Sequence, residues 1–255
     1  MGVASRRNAE KLIESGCVRV NKRKVKQQGL LVKAGEDIIH VNGKEITPPK
    51  CIWIAIHKPK GIVSIPGTSG RSIDTYIPPA KKKGLVVVGG IGEDASGLVI
   101  LSNDRAAAAQ LNGPENMHIK EWYVDCHGPV SLSKVRELQR GAIVDGERDR
   151  FTPESVRCLG TERVELSPRD KATLTRFEVG IRENRRQLIQ RLFNAAGLKV
   201  VNMSRRSFGP VLLSSLKRGD FRYLTPNEVK ALKRGVKKRK SPNWQQRKRV
   251  SRYIE

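Results

Sequence analysis

Two adjacent prolines, Pro48 and Pro49, constrain the fold of this 255-residue chain more than any other feature. A proline ring fixes its own φ and removes a backbone N–H, and the residue before a proline is biased away from helical geometry. We therefore expect a linker here rather than a continuous helix or inner strand. The sequence predicts a small module over residues 1–46 and a larger domain over residues 50–234.

The first module has the pattern of a compact α/β unit. Ser5 is placed to cap a helix that ends at Gly16, because serine is a favoured N-cap and glycine a favoured C-terminal stop. Short strands are predicted over residues 18–20 and 37–41, and the first of them ends at a basic turn over residues 21–24.

In the larger domain, segments with the hydrophobic spacing of a helix alternate irregularly with segments that have the spacing of a strand. A helix over residues 185–196 is predicted to stop at Gly197, and a capping box at residues 225–228 starts another helix. Other strands are predicted over residues 51–56, 85–88, 98–101, 122–126, 173–179 and 200–203, and other helices over residues 103–111 and 131–141. This irregular alternation predicts an α+β domain around a mainly antiparallel sheet.

The charge of the chain points to a polyanionic partner. Fifty lysines and arginines stand against 25 acidic residues, so the formal net charge is +25. From residue 233 to the end, ten of these bases face only one acid, and removing this stretch lowers the charge from +25 to +16. Nucleic acid is the expected partner of the body, and residues 235–255 are predicted to be a basic extension that is disordered in isolation.

Membrane, metal and cofactor functions find no support in the sequence. No apolar run approaches the length of a membrane span. The four cysteines at positions 17, 51, 126 and 158 form no C-x-x-C pair and have no histidine at ligand spacing, so we expect neither a zinc site nor a disulfide framework. No small-molecule cofactor and no membrane partner are expected.

Several separated segments occur in one order that is typical of a known family. The first are SRR at residues 5–7, AEKLIESG at 9–16, VRVN at 18–21 and GEDI at 35–38. They resemble the alpha-L RNA-binding motif of the ribosomal protein S4 type, whose usual first helix is absent or cut short here. Later along the chain lie HKPKG at 57–61, VGGIGEDASGL at 88–98, SND at 102–104, KEWYV at 120–124, GAIVDG at 141–146, SRRSFGP at 204–210 and LKRGDFRYLT at 216–225. With them, the chain resembles the RsuA/RluB-type ribosomal-RNA pseudouridine synthases.

The resemblance implies a catalytic aspartate that this chain lacks. In the family, a turn reading Gly-Arg-Leu-Asp carries the nucleophile, and covalent chemistry at a glycosidic bond centres on that carboxylate. An ungapped alignment places Gly90 at the arginine and Gly92 at the aspartate. Asp94 lies two residues further and is only a weak substitute, while Trp122 stands where the family has a tyrosine. No catalytic residue is therefore predicted, and glycine in a tight turn is also an ordinary structural choice.

The predicted RNA contacts are basic or aromatic side chains spread over the whole chain. They are Ser5, Arg6, Arg7, Lys22, Arg23, Lys24, Lys58, Lys60, Trp122, Arg185, Arg186, Arg191, Arg205, Arg206, Lys237, Lys238, Arg239, Lys240, Trp244, Arg247, Lys248 and Arg249.

Three functions stay open at this point. The first is a catalytically silent factor that binds ribosomal RNA in large-subunit assembly, beside ribosomal proteins or other assembly factors. The second is an active pseudouridine synthase that uses Asp94. The third is a general RNA-coating protein. A degenerate bacterial-type enzyme with a basic extension favours a mitochondrial location, with the bacterial cytoplasm as the alternative.

Overall fold

The computed structural model divides into two compact units, residues 1–51 and residues 52–255. The structure describes residues 3–33, 36–47, 50–67, 71–82, 84–114, 116–144, 148–167, 170–183, 185 and 187–235. The two prolines of the predicted linker and the predicted basic extension from residue 236 onward lie outside these ranges. No helix within them is both long enough and apolar enough to cross a membrane.

The first unit is one helix and a four-stranded antiparallel sheet. Helix α1 (Arg6–Glu14) is capped by Ser5, whose Oγ accepts a hydrogen bond from the backbone N–H of Asn8 at 3.3 Å. The strands are β1 (Val18–Val20), β2 (Arg23–Val25), β3 (Ile39–Val41) and β4 (Lys44–Ile46), in the order β2-β1-β3-β4. The predicted helix cap and both predicted strands are confirmed.

The second unit is built on a nine-stranded sheet. Its strands are β5 (Trp53–Lys58), β6 (Val86–Val88), β7 (Ser96–Ser102), β8 (Lys120–His127), β11 (Ser155–Ser167), β12 (Asp170–Ile181), β13 (Val200–Phe208), β14 (Val211–Leu212) and β15 (Phe221–Tyr223). The main order is β11-β12-β8-β13-β7-β5-β15, while β6 pairs with β7 and β14 with β13. Only the pairing of β13 with β7 is parallel among the described strands of this sheet. The predicted mainly antiparallel sheet is confirmed.

The remaining elements of this unit are short. They are α2 (Pro79–Lys82), α3 (Arg105–Asn112), α4 (Leu132–Arg140), α5 (Leu188–Ala195), α6 (Pro226–Arg234), a 3-10 helix (Ile73–Tyr76), and the two-stranded ladder of β9 (Ala142–Ile143) with β10 (Arg150–Phe151).

Each face of the large sheet has its own hydrophobic core. Successive side chains of a strand point to opposite faces, so Ile54 and Ile56 of β5 enter one core and Trp53 and Ala55 the other. Helices α4 and α5 cover the first core, which includes Trp122. Helices α3 and α6 cover the second core.

Two predicted boundaries are wrong. Helix α5 begins at Leu188 rather than near residue 185, because Gln187 has a φ of 52°, in the left-handed region where a right-handed helix cannot continue. The strand predicted over residues 173–179 is part of a longer hairpin, in which β12 pairs with the unpredicted β11. The capping box before α6 is confirmed, since Thr225 and Glu228 exchange both of its hydrogen bonds.

The parallel contact between β7 and β13 depends on a residue without a side chain. Gly97 has a φ of +112°, and a Cβ at this position would overlap the backbone nitrogen and oxygen of Arg205. Backbone atoms within a sheet cannot turn aside as a flexible side chain can. Gly97 therefore sets how closely the two strands approach.

We predict that Gly97→Ala destabilises the protein more than a change at a glycine whose Cβ would meet open space. Gly128, with a φ of +80° and no atom within 4 Å of the Cβ position, is the matched control. Gly128→Ala should cost about 1–2 kcal/mol for the backbone conformation alone. Gly97→Ala should cost about 1–3 kcal/mol more from steric overlap. Urea unfolding measures both, and equal losses would contradict the role of Gly97.

Candidate functional site

A pocket lies beside the glycine-rich turn that joins β6 to β7, on the face of the sheet that carries Trp122. Its wall is formed by the turn, by the inward side chains of β8 and β13, by the end of β12 with the residues that follow it, and by the start of α5. Its lining residues are Gly90, Ile91, Gly92, Asp94, Ala95, Lys120, Trp122, Ile181, Glu183, Arg185, Gln187, Leu188, Ile189, Gln190, Met203 and Arg205.

The turn is held from outside by polar side chains. The amide oxygen of Asn112 accepts from the backbone N–H of Gly89 at 2.7 Å, and its amide nitrogen donates to the carbonyl of Val87 at 2.8 Å. The hydroxyl of Ser64 donates to the carbonyl of Ile91 at 2.7 Å and accepts from its N–H at 3.1 Å. These bonds replace the ladder bonds that the turn cannot make.

Arg205 fixes the same turn from the strand behind it. Its Nε donates to the carbonyl of Leu98 at 2.8 Å, and its Nη2 donates to the carbonyl of Gly89. The guanidinium lies 5.5 Å from the ring centre of Trp122 and 5.4 Å from that of Phe208. The side chain is 2% exposed, and this burial lowers the pKa of Arg205 to about 9.

The three glycines of the turn differ in what the backbone requires of them. Gly89 has a φ of +65°, and a Cβ there would overlap the ring of Phe208, so glycine is the residue that fits. Gly90 and Gly92 are not in the left-handed region. A Cβ on Gly90 would find its nearest neighbour, a methyl of Val87, at 3.3 Å. The backbone therefore explains glycine at position 89 and leaves glycine at positions 90 and 92 unexplained.

The Asp94 carboxylate lies beside the missing side chain of Gly92. Its Oδ1 is 2.5 Å from the point where a Cβ of residue 92 would lie. Ordinary bond lengths put an aspartate's own carboxylate oxygens about 2.4 Å from its Cβ. Asp94 thus places one oxygen within reach of the space that an aspartate at position 92 would use.

Two lysines next to the turn are buried. The ammonium of Lys58 donates to the carbonyls of Pro59 at 2.8 Å and Ile62 at 2.7 Å, and that of Lys120 donates to the carbonyl of Arg182. Lys58 and Lys120 are 0% and 1% exposed. Loss of water around the charge lowers the pKa of each lysine to about 8, and for Lys120 the neighbouring Arg205 lowers it further.

Comparison with protein-family profiles assigns both units. The S4 domain profile matches residues 1–38, and the RNA pseudouridylate synthase profile matches residues 52–192. The chain belongs to the RNA pseudouridylate synthase family. A crystal structure of a pseudouridylate synthase shares this fold with a TM-score of 0.61 at 24% identity, over 91% of this chain and 95% of the other.

Curated relatives of the family cover nearly the whole chain. Ribosomal large subunit pseudouridine synthase B of Bacillus subtilis is 31% identical over 233 residues, which are 91% of each chain. A putative chloroplastic ribosomal large subunit pseudouridine synthase of Arabidopsis thaliana is 31% identical over 248 residues, which are 91% of this chain and 58% of that one. Ribosomal small subunit pseudouridine synthase A of Vibrio cholerae is 25% identical over 230 residues.

The residues predicted to contact RNA differ in their exposure. Exposed in the S4 unit are Ser5, Arg7, Lys22, Arg23 and Lys24, and Lys60 is exposed in the synthase unit. Partly exposed are Arg185, Arg191 and Arg206, the last with its guanidinium 5.0 Å from the ring centre of Tyr123. Trp122 lies in the pocket wall and is 9% exposed. The side chains of Arg6 and Arg186, and Lys237, Lys238, Arg239, Lys240, Trp244, Arg247, Lys248 and Arg249, lie outside the described residues.

Lys58 and Arg205 are not surface contacts, and for them the prediction of an outward phosphate-binding cation is wrong. Both side chains point into the synthase unit, where backbone carbonyls surround them. Arg205 and Arg206 are adjacent, so a strand directs one to the pocket and the other to Tyr123 on the opposite face.

Three residues of the site were not predicted. Ser64 and Asn112 hold the turn, and Lys120 lines the pocket. Lys120 begins the KEWYV segment that carries the family resemblance, two residues before Trp122 on the same strand face, and that spacing is the signal that could have identified it. Within the part of the chain that the structure describes, no three histidine, cysteine, aspartate or glutamate side chains converge to hold a metal ion.

We predict that the free energy of unfolding rises with pH between about 8 and 10.5 because of the buried lysines Lys58 and Lys120. Each has a folded pKa of about 8 against an ordinary 10.5, so in this window the unfolded chain binds the proton that the folded chain has lost. A higher pH then favours the folded state, by at most about 1.4 kcal/mol per pH unit for each lysine. Urea unfolding should give a smaller slope for Lys120→Met than for the wild type, and an unchanged slope would contradict the burial of its charge.

Proposed function

We propose that this protein binds ribosomal RNA through the fold of a pseudouridine synthase and does not isomerise uridine. The observation that carries the proposal is the pair Gly90 and Gly92, which line the pocket with no side chain and no backbone need for glycine. A covalent mechanism requires a carboxylate in place, and glycine offers none.

The RNA partner rests on the charge and on the relatives. A body with a formal charge of +18 remains even if the chain stops at Gly235, because that removes eight bases and one acid. A basic surface of this kind binds phosphate groups and releases their counterions. The relatives are named for ribosomal subunits, and those from Bacillus subtilis and Arabidopsis thaliana are named for the large subunit. We extend this to a role in large-subunit assembly, with ribosomal proteins or assembly factors as neighbours.

An active enzyme that uses Asp94 is the second candidate. The position of its Oδ1, 2.5 Å from the Cβ site of residue 92, favours this function because the oxygen lies in the same pocket as Trp122. The arginine position would still be Gly90, and Trp122 carries no hydroxyl. The relatives' names supply only the class of reaction, an isomerase.

Bacterial and chloroplastic relatives point to a compartment with bacterial-type ribosomes. We propose an organelle, with the mitochondrion as the finer assignment and a bacterial cytoplasm as the alternative.

We predict that the purified protein forms no pseudouridine in ribosomal RNA transcripts. Tritium release from uridine-labelled RNA is the measurement. Gly92→Asp alone should restore little, because groups that act as a unit are not additive. The fairer variant joins Gly90→Arg to Gly92→Asp, and Trp122→Tyr is the third change to add. Stoichiometric pseudouridine from the unmodified protein, lost in Asp94→Asn, would establish the second candidate instead.

We predict that binding to structured ribosomal RNA weakens steeply with salt. Each neutralised phosphate should add about −0.7 to −0.9 to the slope of log affinity against log salt concentration. Filter binding between about 50 and 200 mM salt gives this slope. The chain ending at Gly235 should keep most of the slope, since it keeps most of the charge. A slope near zero would contradict phosphate binding, and equal affinity for random duplex would indicate a general RNA-coating protein.

A further inference from the structure

The S4 unit leaves its apolar side chains partly open to water. Among the described residues, every buried apolar side chain belongs to the synthase unit and none to the S4 unit. A folded unit normally removes such side chains from water, because their burial is the main favourable contribution to folding. Five large apolar side chains of the S4 unit are instead between 42% and 94% exposed: Val3, Leu30, Leu31, Val32 and Ile38.

One face of the four-stranded sheet carries most of this apolar surface. Residues two apart on a strand point to the same face, and residues paired between strands share a side. The strand register therefore places six apolar side chains together on that face, and all six are half-buried. They are Val18, Val20, Val25, Ile39, Val41 and Ile46.

Helix α1 covers only part of this face. A groove of about 380 Å³ lies between the six strand side chains and the apolar stripe of α1, which includes Leu12 and Ile13. Four strands spaced about 4.8 Å apart form a face about 19 Å wide, whereas a helix is about 10 Å wide. One helix therefore covers about half of the face, and the remaining width fits a second helix.

The charges on the groove face favour an acidic occupant. Arg23 precedes Val25 by two residues on β2, and Lys44 precedes Ile46 by two residues on β4, so both cations are on the apolar face. Strands β2 and β4 are the two edges of the sheet, and both side chains are exposed. No acid of the four described strands shares this face, since Glu45 points the opposite way. A second copy of the chain would bring like charges together, which disfavours self-association through this face.

We propose that this groove binds an amphipathic α-helix of a partner protein, whose apolar stripe packs between α1 and the sheet. Acidic residues beside the stripe contact Arg23 and Lys44. Apolar grooves bind helices that carry apolar side chains at positions i, i+3, i+4 and i+7. The proposal goes beyond the proposed function and does not depend on it, because contacts with apolar side chains neither require RNA nor involve the pocket of the synthase unit.

Fluorescence anisotropy with a labelled synthetic peptide tests the groove in the full chain. The probe peptide is helical, with leucine at positions i, i+3, i+4 and i+7 and glutamate beside this stripe. The control peptide has the same residues in scrambled order, so it keeps the charge and loses the stripe. We expect saturable binding of the probe and at least about tenfold weaker binding of the control, since several buried leucines contribute.

Two neighbouring leucines provide matched variants of the protein. Leu30 lines the groove and is 57% exposed, whereas Leu31 does not line it and is 94% exposed, so neither change removes a buried contact from the fold. Leu30→Ser should weaken binding of the probe about fivefold, because it removes apolar area from the interface. Leu31→Ser should leave the affinity unchanged.

A second pair of variants tests the charges at the same change in net charge. Lys44→Glu places a negative charge on the groove face and should weaken binding of the glutamate probe at least about threefold. Arg19→Glu lies on the opposite face of β1 and should weaken it less.

Equal binding of the probe and the scrambled peptide would overturn the proposal, and so would absence of saturable binding. Equal affinity of the Leu30→Ser and Leu31→Ser proteins would also overturn it. Sedimentation of the full chain without peptide tests the competing occupant, and a monomer is expected. A dimer that Leu30→Ser dissociates and Leu31→Ser does not would assign the groove to a second copy of the chain instead of a partner helix.

Discussion

The buried guanidinium of Arg205 is the interaction on which the rest of the second unit depends. It lies against one ring of each core, because Trp122 belongs to one and Phe208 to the other. Its hydrogen bonds join β13 to Gly89 at the start of the glycine-rich turn and to Leu98 of β7. An arginine can do this because its planar fork of donors reaches two carbonyls while its faces stack on aromatic rings.

The glycines around this arginine separate into two kinds. Gly89 and Gly97 have backbone conformations and close neighbours that exclude a side chain, so they belong to the fold. Gly90 and Gly92 lie outside the left-handed region, and a Cβ there would first meet the end of a side chain, a Val87 methyl at 3.3 Å or the Asp94 carboxylate at 2.5 Å. The sequence alone does not distinguish these two kinds of glycine. The distinction needs φ and the positions of the atoms that a Cβ would meet.

The sequence predicted the elements whose signals are local. The capping box of α6 and the serine cap of α1 need only the neighbouring residues, and both formed as expected. The fold class, and the alignment of Gly92 with the family's aspartate position, followed from the order of the family's segments along the chain. The burial of Lys58 and Arg205 could not be predicted, because a buried lysine or arginine cannot be distinguished from an exposed one by composition. The rest of the site escaped because it depends on contacts between distant parts of the chain. Asn112 ends a helix and Ser64 lies in a loop, and neither position has a pattern that marks it as a clamp for a turn near residue 90.

The clamps on the turn lie outside it, and this has a consequence for how such a chain changes over time. Asn112, Ser64 and Arg205 specify the path of the backbone through hydrogen bonds to backbone groups, whichever side chains the turn carries at positions 90 and 92. Inheritance of the shape is thus uncoupled from inheritance of the reaction. Side chains at positions 90 and 92 can therefore change without removing any of the hydrogen bonds that hold the turn, so the fold of such a chain does not by itself reveal which side chains its pocket carries.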